Sequence, residues 1–318
     1  MFKHLHSQIS KLSDHRVLCI GDIMLDRFVY GNVSRISPEA PIPVFHEQRE
    51  ETTLGGGGNT IRNIVTLGGK VDTIVIVGKD QAGYDLSEIV ADMPEIDPYI
   101  LTDEKRPTII KTRYVSGGQQ MLRSDRENAK PICQQMEDEV LLRAKAAIPG
   151  CDIVVLSDYV KGMLTDRVMA EIIKICKEND KPVLVDTKRK DPSHCKGAFM
   201  LTPNKKELTD ATGIEIKSVE DAEKASRQLI KDYDLGGVLA KMSGDGVCLV
   251  MKDEEAIHIK ADTREVYDVS GAGDTVVATM ALAIAGGLPL HDAAALSNVA
   301  GSIVVGKTGT ATLTQDEL

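Results

Sequence analysis

Short apolar runs that alternate with helical patterns constrain the fold of this chain more than any other feature. The apolar runs are rich in β-branched residues and lie at 16–22, 71–78, 151–159, 181–187, 198–204 and 236–242. Helical patterns lie at 59–68, 81–93, 133–147, 165–180 and 218–232, and longer ones at about 272–286 and 290–307. Strands that are apolar on both faces are typical of a parallel sheet covered by helices. The sequence therefore predicts an α/β fold: a doubly wound, mostly parallel sheet flanked by helices.

Two polar stretches interrupt this alternation. Residues 26–54 contain extended, half-polar segments with three prolines, and residues 107–127 resemble a hairpin that turns at Gly117 and Gly118. Both are too polar for the core of the sheet, so they predict a small β-layer that acts as a lid. Surface loops and an edge hairpin are the alternative. The pattern predicts one domain over 1–318, with the lid as its subdomain.

Composition and charge exclude several classes of function. The net charge of −10 disfavours nucleic acid and acidic membranes as partners. Six cysteines without a C-x-x-C pair are typical of reduced, intracellular thiols. The longest uncharged run, 275–290, is too short to span a bilayer, and the N-terminus lacks the apolar core of a signal peptide. We expect a soluble cytoplasmic protein.

Polar residues follow several of the predicted strands. They are Asp22 and Asp26 after the first strand, and later Ser157, Asp158, Tyr159, Asp186, Thr187, Lys188 and Asn204. In an open parallel sheet, ligands bind beyond the carboxyl ends of the strands. The pattern therefore predicts a binding site at this edge.

Four glycines at 55–58 precede Asn59. The fingerprint of a dinucleotide loop is G-x-G-x-x-G directly after the first strand, and the stretch "IGDIML" at that place lacks it. The glycines indicate either a flexible loop or a small polar ligand that approaches the backbone at Gly56 and Gly57. An aspartate and an asparagine, here Asp26 and Asn59, suit the vicinal hydroxyls of a sugar.

The stretch Gly271-Ala272-Gly273-Asp274 begins a long apolar helix. Freely accessible amides at a helix start form an anion pocket, which the helix dipole strengthens. If the anion is a phosphoryl group in transfer, Asp274 is placed to accept the proton of the attacking hydroxyl. The alternative is an ordinary helix cap.

The stretch "TPNKKE" places Asn204 and Glu207 three residues apart. Two oxygen ligands beside phosphates suit Mg²⁺, which retains several waters. The same spacing is common in helix capping, so this alternative stays open.

Three motifs, "GGGGN" (55–59), "TPNKKE" (202–207) and "DVSGAGDT" (268–275), together resemble the ribokinase/PfkB family of sugar kinases. Val269 departs from the threonine that is commoner in that family. "GDIMLDRFVYGNVSRISPEAPIPV", "LSDYVKGML" and "LVDTKRKD" resemble the kinase domain of bacterial D-glycero-β-D-manno-heptose 7-phosphate kinases, and this likeness covers nearly the whole chain. Because no H-x-G-H motif is present, we expect a stand-alone kinase or the kinase half of a bifunctional enzyme.

The resemblance implies a ribokinase-like fold that uses ATP and Mg²⁺. Asp274 would be the catalytic base, and Gly271 to Gly273 the anion hole. Asp26 and Asn59, with Asp22, would hold sugar hydroxyls, and Asn204 and Glu207 would organise Mg²⁺ and the ATP phosphates. Ser243, Gly244, Gly246 and Asn298 would flank the adenosine. "KMSGDG" (241–246) departs from the Thr-Arg-Ser-x-x-Gly of heptose kinases, which leaves open which side chain meets the nucleotide phosphates.

The resemblance also implies the reaction. The anomeric hydroxyl of the heptose 7-phosphate would be phosphorylated to the 1,7-bisphosphate, a precursor of the lipopolysaccharide core, by a homodimer that pairs through the lid. The phosphate of the substrate needs cationic partners, and Lys188 is the first candidate, before Arg113, Arg123 and Lys161. The alternatives are another sugar kinase of the family, a silent sugar-binding regulator, and a nicotinamide-dependent oxidoreductase.

Overall fold

The computed structural model describes residues 5–261 and 266–318, and within them the chain forms two β-sheets and eight α-helices. The strands are β1 (Arg16–Gly21), β2 (Ile23–Ile36), β3 (Pro43–Gly56), β4 (Lys70–Gly78), β5 (Ile96–Asp103), β6 (Ile110–Ser116), β7 (Gln119–Arg126), β8 (Ile153–Asp158), β9 (Val183–Thr187), β10 (Met200–Leu201), β11 (Gly237–Lys241), β12 (Val247–Met251) and β13 (Ile257–Ile259). The helices are α1 (Gly57–Thr66), α2 (Gln81–Ala91), α3 (Gln134–Ala147), α4 (Asp166–Glu178), α5 (Lys205–Thr212), α6 (Val219–Tyr233), α7 (Ala272–Ala285) and α8 (Leu290–Val304).

The larger sheet confirms the predicted α/β architecture. Its strand order is β13-β12-β11-β10-β9-β8-β1-β4-β5, and all neighbouring pairs from β11 to β5 are parallel. One face packs against α1, α2, α7 and α8, and the other against α3, α4, α5 and α6. From β1 the sheet extends in one direction through β4 and β5, and the chain then returns to β8 on the other side of β1, so the strand order reverses beside β1. A crevice at such a switch point is where ligands bind.

The structure contains three strands of this sheet that the sequence pattern did not predict: β5, β12 and β13. Pro98 lies within β5, and an edge strand tolerates a proline because one of its sides needs no hydrogen bonds. The other two strands form an antiparallel edge, so they lack the helix that marks each parallel strand. The predicted strand at 198–204 is only two residues long, and α5 begins at Lys205.

The second sheet consists of the two polar stretches, in the order β3-β2-β6-β7. The hairpin between β6 and β7 turns at Gly117 and Gly118, as predicted, and both have positive φ. Several large apolar side chains on this sheet and its turns are exposed: Ile36, Ile42, Met121 and Leu122. The predicted β-layer is therefore present, and its function as a lid stays a prediction.

Helix α7 lies between the neighbouring helices α1 and α8. It is apolar on every face, so it is buried almost all round, from Asp274 to Ala283. Its first turn meets the carboxyl ends of the central strands, and this places the Gly-Ala-Gly-Asp stretch at the edge of the sheet. None of the helices in the described parts of the chain is long and apolar enough to cross a membrane.

Candidate active site

A cavity of about 710 Å³ lies at the carboxyl edge of the large sheet. It is bounded by residues at or after the ends of four strands, namely Tyr159 (β8), Lys188 (β9), Asn204 (β10) and Lys241 (β11), and by the first turn of α7. This volume is typical of a pocket for a small ligand. The edge that the sequence predicts to bind a ligand is therefore concave, and its polar residues converge.

Asp274 is buried in the first turn of α7 and makes no capping bond to the helix backbone. Its two oxygens accept hydrogen bonds from Asn59 Nδ2 at 2.9 Å and from the Tyr159 hydroxyl at 2.6 Å. Burial raises the pKa of this carboxyl above its ordinary 3.8, although both hydrogen bonds lower it. The contacts favour a base over a helix cap, because the side chain faces the sheet edge.

The backbone before Asp274 approaches its neighbours closely. Gly271 has a φ of 80°, and a Cβ there would lie 2.5 Å from Asn59 Nδ2, so both conformation and space require glycine. Gly271, Ala272 and Gly273 line the cavity. A Cβ on Gly273 would lie 3.3 Å from Lys241 Nζ, so an ammonium group stands beside these amides. An anion bound here meets a helix N-terminus and a lysine together.

Asn59 is fully buried near the start of α1. Besides Asp274, its Nδ2 contacts the carbonyl of Gly271 at 3.4 Å. Its Oδ1 has no hydrogen-bond partner among the described residues. Asn59 therefore orients Asp274 with one end, and its other end remains available to a ligand.

Asp26 is buried in β2, where Arg113 Nη1 of the adjacent strand donates to its Oδ1 at 2.7 Å. The Arg113 guanidinium also lies over the Phe28 ring, at 5.1 Å from its centroid. Gly55 leaves room for this carboxylate, since a Cβ there would lie 2.3 Å from Asp26 Oδ2. Asp26, the predicted partner of the sugar hydroxyls, is thus paired with Arg113, one of the candidates for binding the substrate phosphate.

Asp22 has protein partners for both of its oxygens. It accepts from the amides of Tyr159 at 3.0 Å, Lys161 at 2.9 Å and Met163 at 3.3 Å. Burial raises its pKa to about 6 despite these three bonds. Its carbonyl accepts from the amide of Gly57 at the start of α1. These contacts favour a structural function for Asp22 over the predicted contact with a sugar.

Asp186, a buried residue near the end of β9, organises the basic groups of the cavity. Its Oδ1 lies 2.7 Å from Lys241 Nζ, and its Oδ2 lies 3.0 Å from Lys188 Nζ. Burial alone would raise the pKa of Asp186, but the two ammonium groups together hold it well below its ordinary value. Lys188 also contacts Glu207 Oε1 at 2.9 Å, and these two carboxylates hold its pKa above the ordinary range against burial. Lys188 is therefore charged at neutral pH.

Asn204 and Glu207 form a capping box at the start of α5. Asn204 Oδ1 accepts from the Glu207 amide at 2.9 Å, and Glu207 Oε2 accepts from the Asn204 amide at 2.8 Å. The capping alternative is therefore realised. Among the described residues, no group of three or more acidic, histidine or cysteine side chains surrounds a potential metal position. These contacts suit a hydrated Mg²⁺ that Glu207 reaches through water, and not one that the protein encloses.

The predicted adenosine residues line the same cavity: Ser243, Gly244, Gly246 and Asn298. Asn298 Nδ2 donates to the carbonyl of Lys260 at 2.8 Å. Valine side chains also line the cavity, at positions 247, 266, 269, 276 and 305, together with the ammonium groups of Lys188 and Lys241. A wall that is partly apolar and partly cationic fits a base joined to phosphates, as in ATP.

The four candidates for the substrate phosphate lie in different places. Lys188 lines the cavity with the predicted nucleotide residues. Arg123 makes a two-pronged contact with Asp125 of its own strand, and Lys161 Nζ contacts Glu127 at 2.7 Å. Arg113 lies beside Asp26, and its Nε and Nη2 have no hydrogen-bond partner in the described chain. Lys188 thus lies with the predicted nucleotide residues, whereas Arg113 lies beside Asp26, the predicted partner of the sugar.

Three residues of the site had no role in the sequence interpretation: Tyr159, Asp186 and Lys241. Tyr159 and Asp186 occur among the polar residues at strand ends. That pattern places them at the edge of the sheet but does not indicate which residues they contact. Lys241 belongs to the motif that departs from the heptose kinases. A function for Lys241 is indicated only by the fold, which places its ammonium group beside Gly273, a residue distant in the sequence.

Known proteins resemble this chain over nearly its whole length. The model of the pfkB family of carbohydrate kinases matches residues 14–317. A protein named bifunctional protein HldE from Paramagnetospirillum magneticum is 47% identical over 314 residues, which are 99% of this chain and 64% of that protein. Its namesake from Rhodospirillum rubrum is 45% identical over 310 residues, covering 98% of this chain and 62% of the relative. The chain therefore spans slightly less than two thirds of the length of these relatives.

Solved structures support the fold. Phosphofructokinase-2 from Escherichia coli in complex with potassium superposes with a TM-score of 0.77 at 20% identity, over 96% of both chains. Ribokinase from Arabidopsis thaliana, complexed with ribose and ATP, has a TM-score of 0.75 at 19% identity, also over 96% of both chains. The family match over nearly the whole sequence and the high identity to the curated relatives lead to one assignment. This chain is a member of the pfkB family of carbohydrate kinases.

Proposed function

We propose that this chain transfers the γ-phosphoryl group of ATP to the anomeric hydroxyl of D-glycero-β-D-manno-heptose 7-phosphate. The product would be the 1,7-bisphosphate, a precursor of the lipopolysaccharide core. The observation that carries the proposal is Asp274, a buried carboxylate that lines the cavity beside Gly271 to Gly273 and is held by Asn59 and Tyr159. The choice of the heptose rests on the resemblance of the "SRISPEAPIPV" segment and on the relatives named HldE.

In this mechanism the sugar lies over Asp26 and Asn59, with its anomeric hydroxyl at Asp274. The hydroxyl oxygen forms a bond to the γ-phosphorus, and the bond from that phosphorus to the β–γ bridging oxygen breaks. The electron pair leaves with ADP, and Asp274 accepts the hydroxyl proton. The amides of Gly271 to Gly273 and the ammonium group of Lys241 stabilise the charge of the phosphoryl group in transfer.

The nucleotide occupies the cavity, with its phosphates toward Lys188 and Lys241 and its base among the valines. Bound Mg²⁺ would neutralise charge on the ATP phosphates. Glu207 would contact the waters of this ion, because one of its oxygens already accepts the Asn204 amide and the other pairs with Lys188. Asn204 acts on the ion only indirectly, through the capping box that holds Glu207 in place.

The substrate phosphate would bind at Arg113. Nη1 of this arginine contacts Asp26, and the rest of the guanidinium fork offers N–H donors to a phosphate. Arg123 and Lys161 have carboxylate partners of their own and would take part only if the second sheet changed position. This sheet would act as the lid, and its exposed apolar residues, among them Met121 and Leu122, would pair with a second copy of the chain.

A panel of sugars at equal concentration tests the proposed function. Purified protein is incubated with ATP, Mg²⁺ and each sugar, with and without a terminal phosphate, and ADP release is measured. The heptose 7-phosphate should give the highest kcat/KM, and ³¹P NMR should show a new anomeric phosphate. Preference for another sugar would indicate a different carbohydrate kinase. Absence of sugar-dependent ADP release would indicate a sugar-binding protein without kinase activity.

The metal proposal predicts the effect of Glu207→Gln. The substitution keeps the shape but removes one negative charge, so the Mg²⁺ concentration for half-maximal rate should rise, by about threefold to tenfold. Glu220→Gln is a matched control in the first turn of α6. A Mg²⁺ titration that does not change would leave Glu207 with capping as its only function.

The substrate-phosphate proposal predicts opposite behaviour for two cation variants. Arg113→Ala should lower kcat/KM about a hundredfold for the phosphorylated sugar and much less for the same sugar without phosphate. Lys188→Ala should lower kcat/KM about tenfold for both sugars, because its charge acts on the nucleotide side. If Lys188→Ala lowered kcat/KM only for the phosphorylated sugar, Lys188 would be the residue that binds the substrate phosphate.

A further inference from the structure

Tyr159 touches the proposed catalytic base, yet neither the family resemblance nor the comparisons give it a role. We propose that Tyr159 is a positioning residue that fixes the orientation of Asp274 and stabilises its negative charge, and that Asp22 serves the reaction by holding the loop that carries Tyr159. The inference rests on the proposed function, because it takes Asp274 to be the base.

The first argument is the geometry at Asp274. Tyr159 donates to one carboxylate oxygen at 2.6 Å and Asn59 donates to the other at 2.9 Å. With both oxygens held, the carboxylate cannot rotate without breaking a hydrogen bond. Each oxygen retains a second lone pair, so one of them can still accept the proton of a sugar hydroxyl. The tyrosine therefore orients the base without blocking it.

The second argument is the loop that carries Tyr159. Asp22 gathers three of its amides, those of residues 159, 161 and 163. Val160 lies between them with a φ of 58°, a conformation that a β-branched residue rarely adopts, and its amide donates to Asp158 at 2.9 Å. Such a backbone persists only where its surroundings hold it, typically at functional sites. The loop therefore holds Tyr159 at a fixed distance from Asp274.

The third argument is the charge around Asp274. The titratable groups that face it come from four neighbouring segments and are Cys19, Tyr159, Asp186, Lys188 and Lys241. Burial raises the pKa of Asp274, and the hydrogen bond of Tyr159 is the strongest opposing effect. Lys188 Nζ lies 5.5 Å from the centroid of the Tyr159 ring, and its charge also lowers the pKa of Asp274, less than the Tyr159 hydrogen bond does. Without the hydroxyl, the pKa of Asp274 must rise.

Tyr159→Phe tests the inference because it removes only the hydroxyl. A base works when it is ionised, so a higher pKa of Asp274 moves the acid limb of the kcat/KM profile toward higher pH. We expect a shift of about one pH unit, with the largest loss of rate at low pH. Tyr99→Phe is the matched control, since the Tyr99 hydroxyl donates to Glu139 at 2.9 Å, away from the site. It should leave the profile unchanged.

A second measurement does not depend on activity. In protein labelled with ¹³C at the aspartate carboxyls, the signal missing from Asp274→Asn identifies Asp274, and its titration midpoint can be followed by NMR. The midpoint should rise by about one pH unit in Tyr159→Phe. If wild-type protein phosphorylates no sugar, the proposed function fails, but this midpoint still tests the contact with Tyr159.

An unchanged midpoint, or a rate that falls equally at every pH, overturns the inference. If Tyr159→Phe does not fold, 3-fluorotyrosine at position 159 replaces it, because this analogue keeps the hydroxyl and donates more strongly. The midpoint of Asp274 should then fall below that of the wild type. A midpoint equal to that of the wild type would again overturn the inference.

Discussion

Asp274→Asn is expected to lower kcat at least about a hundredfold, while the KM of both substrates changes little. The amide keeps the size of the carboxylate but cannot accept a proton at neutral pH. The Asn59 amide can turn to pair with the new side chain, because its Oδ1 has no other partner in the described chain. The variant should therefore fold. Steady-state kinetics with circular dichroism separates a loss of chemistry from a loss of structure.

The same variant should not lose stability at neutral pH. Because burial raises the pKa of Asp274 in the folded state, the stability from this group is present below its ordinary pKa of 3.8 and is lost as the pH rises through the raised value. Asparagine does not titrate, so Asp274→Asn does not lose this stability. As the pH rises from 3.8 through the raised pKa of Asp274, the free energy of unfolding of the variant should therefore increase relative to that of the wild type. Asp234→Asn is a matched control at an exposed, left-handed position that asparagine tolerates. Near-normal turnover in a folded Asp274→Asn protein would contradict its function as the base.

Lys241→Met is expected to lower kcat by about two orders of magnitude. Its ammonium group stands beside Gly273, where the phosphoryl group in transfer would lie. Loss of a charged hydrogen-bond partner costs about 2–3 kcal/mol, which corresponds to about a hundredfold in rate. Methionine retains the apolar stem, and Asp186 keeps Lys188 and Thr202 as partners. The expected effect is therefore on catalysis more than on folding.

Two further variants complete this test. Lys241→Arg keeps the charge and should recover part of the rate, although the guanidinium group is larger and planar. Lys252→Met is the matched control, because Lys252 pairs with Asp234 on the surface. A loss of less than about threefold in Lys241→Met would leave this lysine as only a partner of the buried Asp186.

The local patterns of the sequence were sufficient for the framework. The apolar runs predicted the central strands, and the uncharged stretch after Asp274 predicted the buried helix α7. These features depend on periodicity and on turn residues, which act over a few neighbouring positions. The antiparallel strands β12 and β13 escaped prediction because no helix separates them and their pairing depends on the rest of the sheet.

The partners of the polar side chains were decided by the tertiary structure. Asp22 was expected to contact the sugar, yet it accepts hydrogen bonds from amides within residues 159–163. Lys188 lies with the predicted nucleotide residues, where it pairs with Asp186 and Glu207. Tyr159 meets Asp274 across 115 residues of sequence. The order of strands and helices along the chain was enough to predict which residues reach the edge of the sheet. Only the packing decided which of them are close enough to share a proton or a charge, because hydrogen bonds and ion pairs depend on distances of a few ångströms.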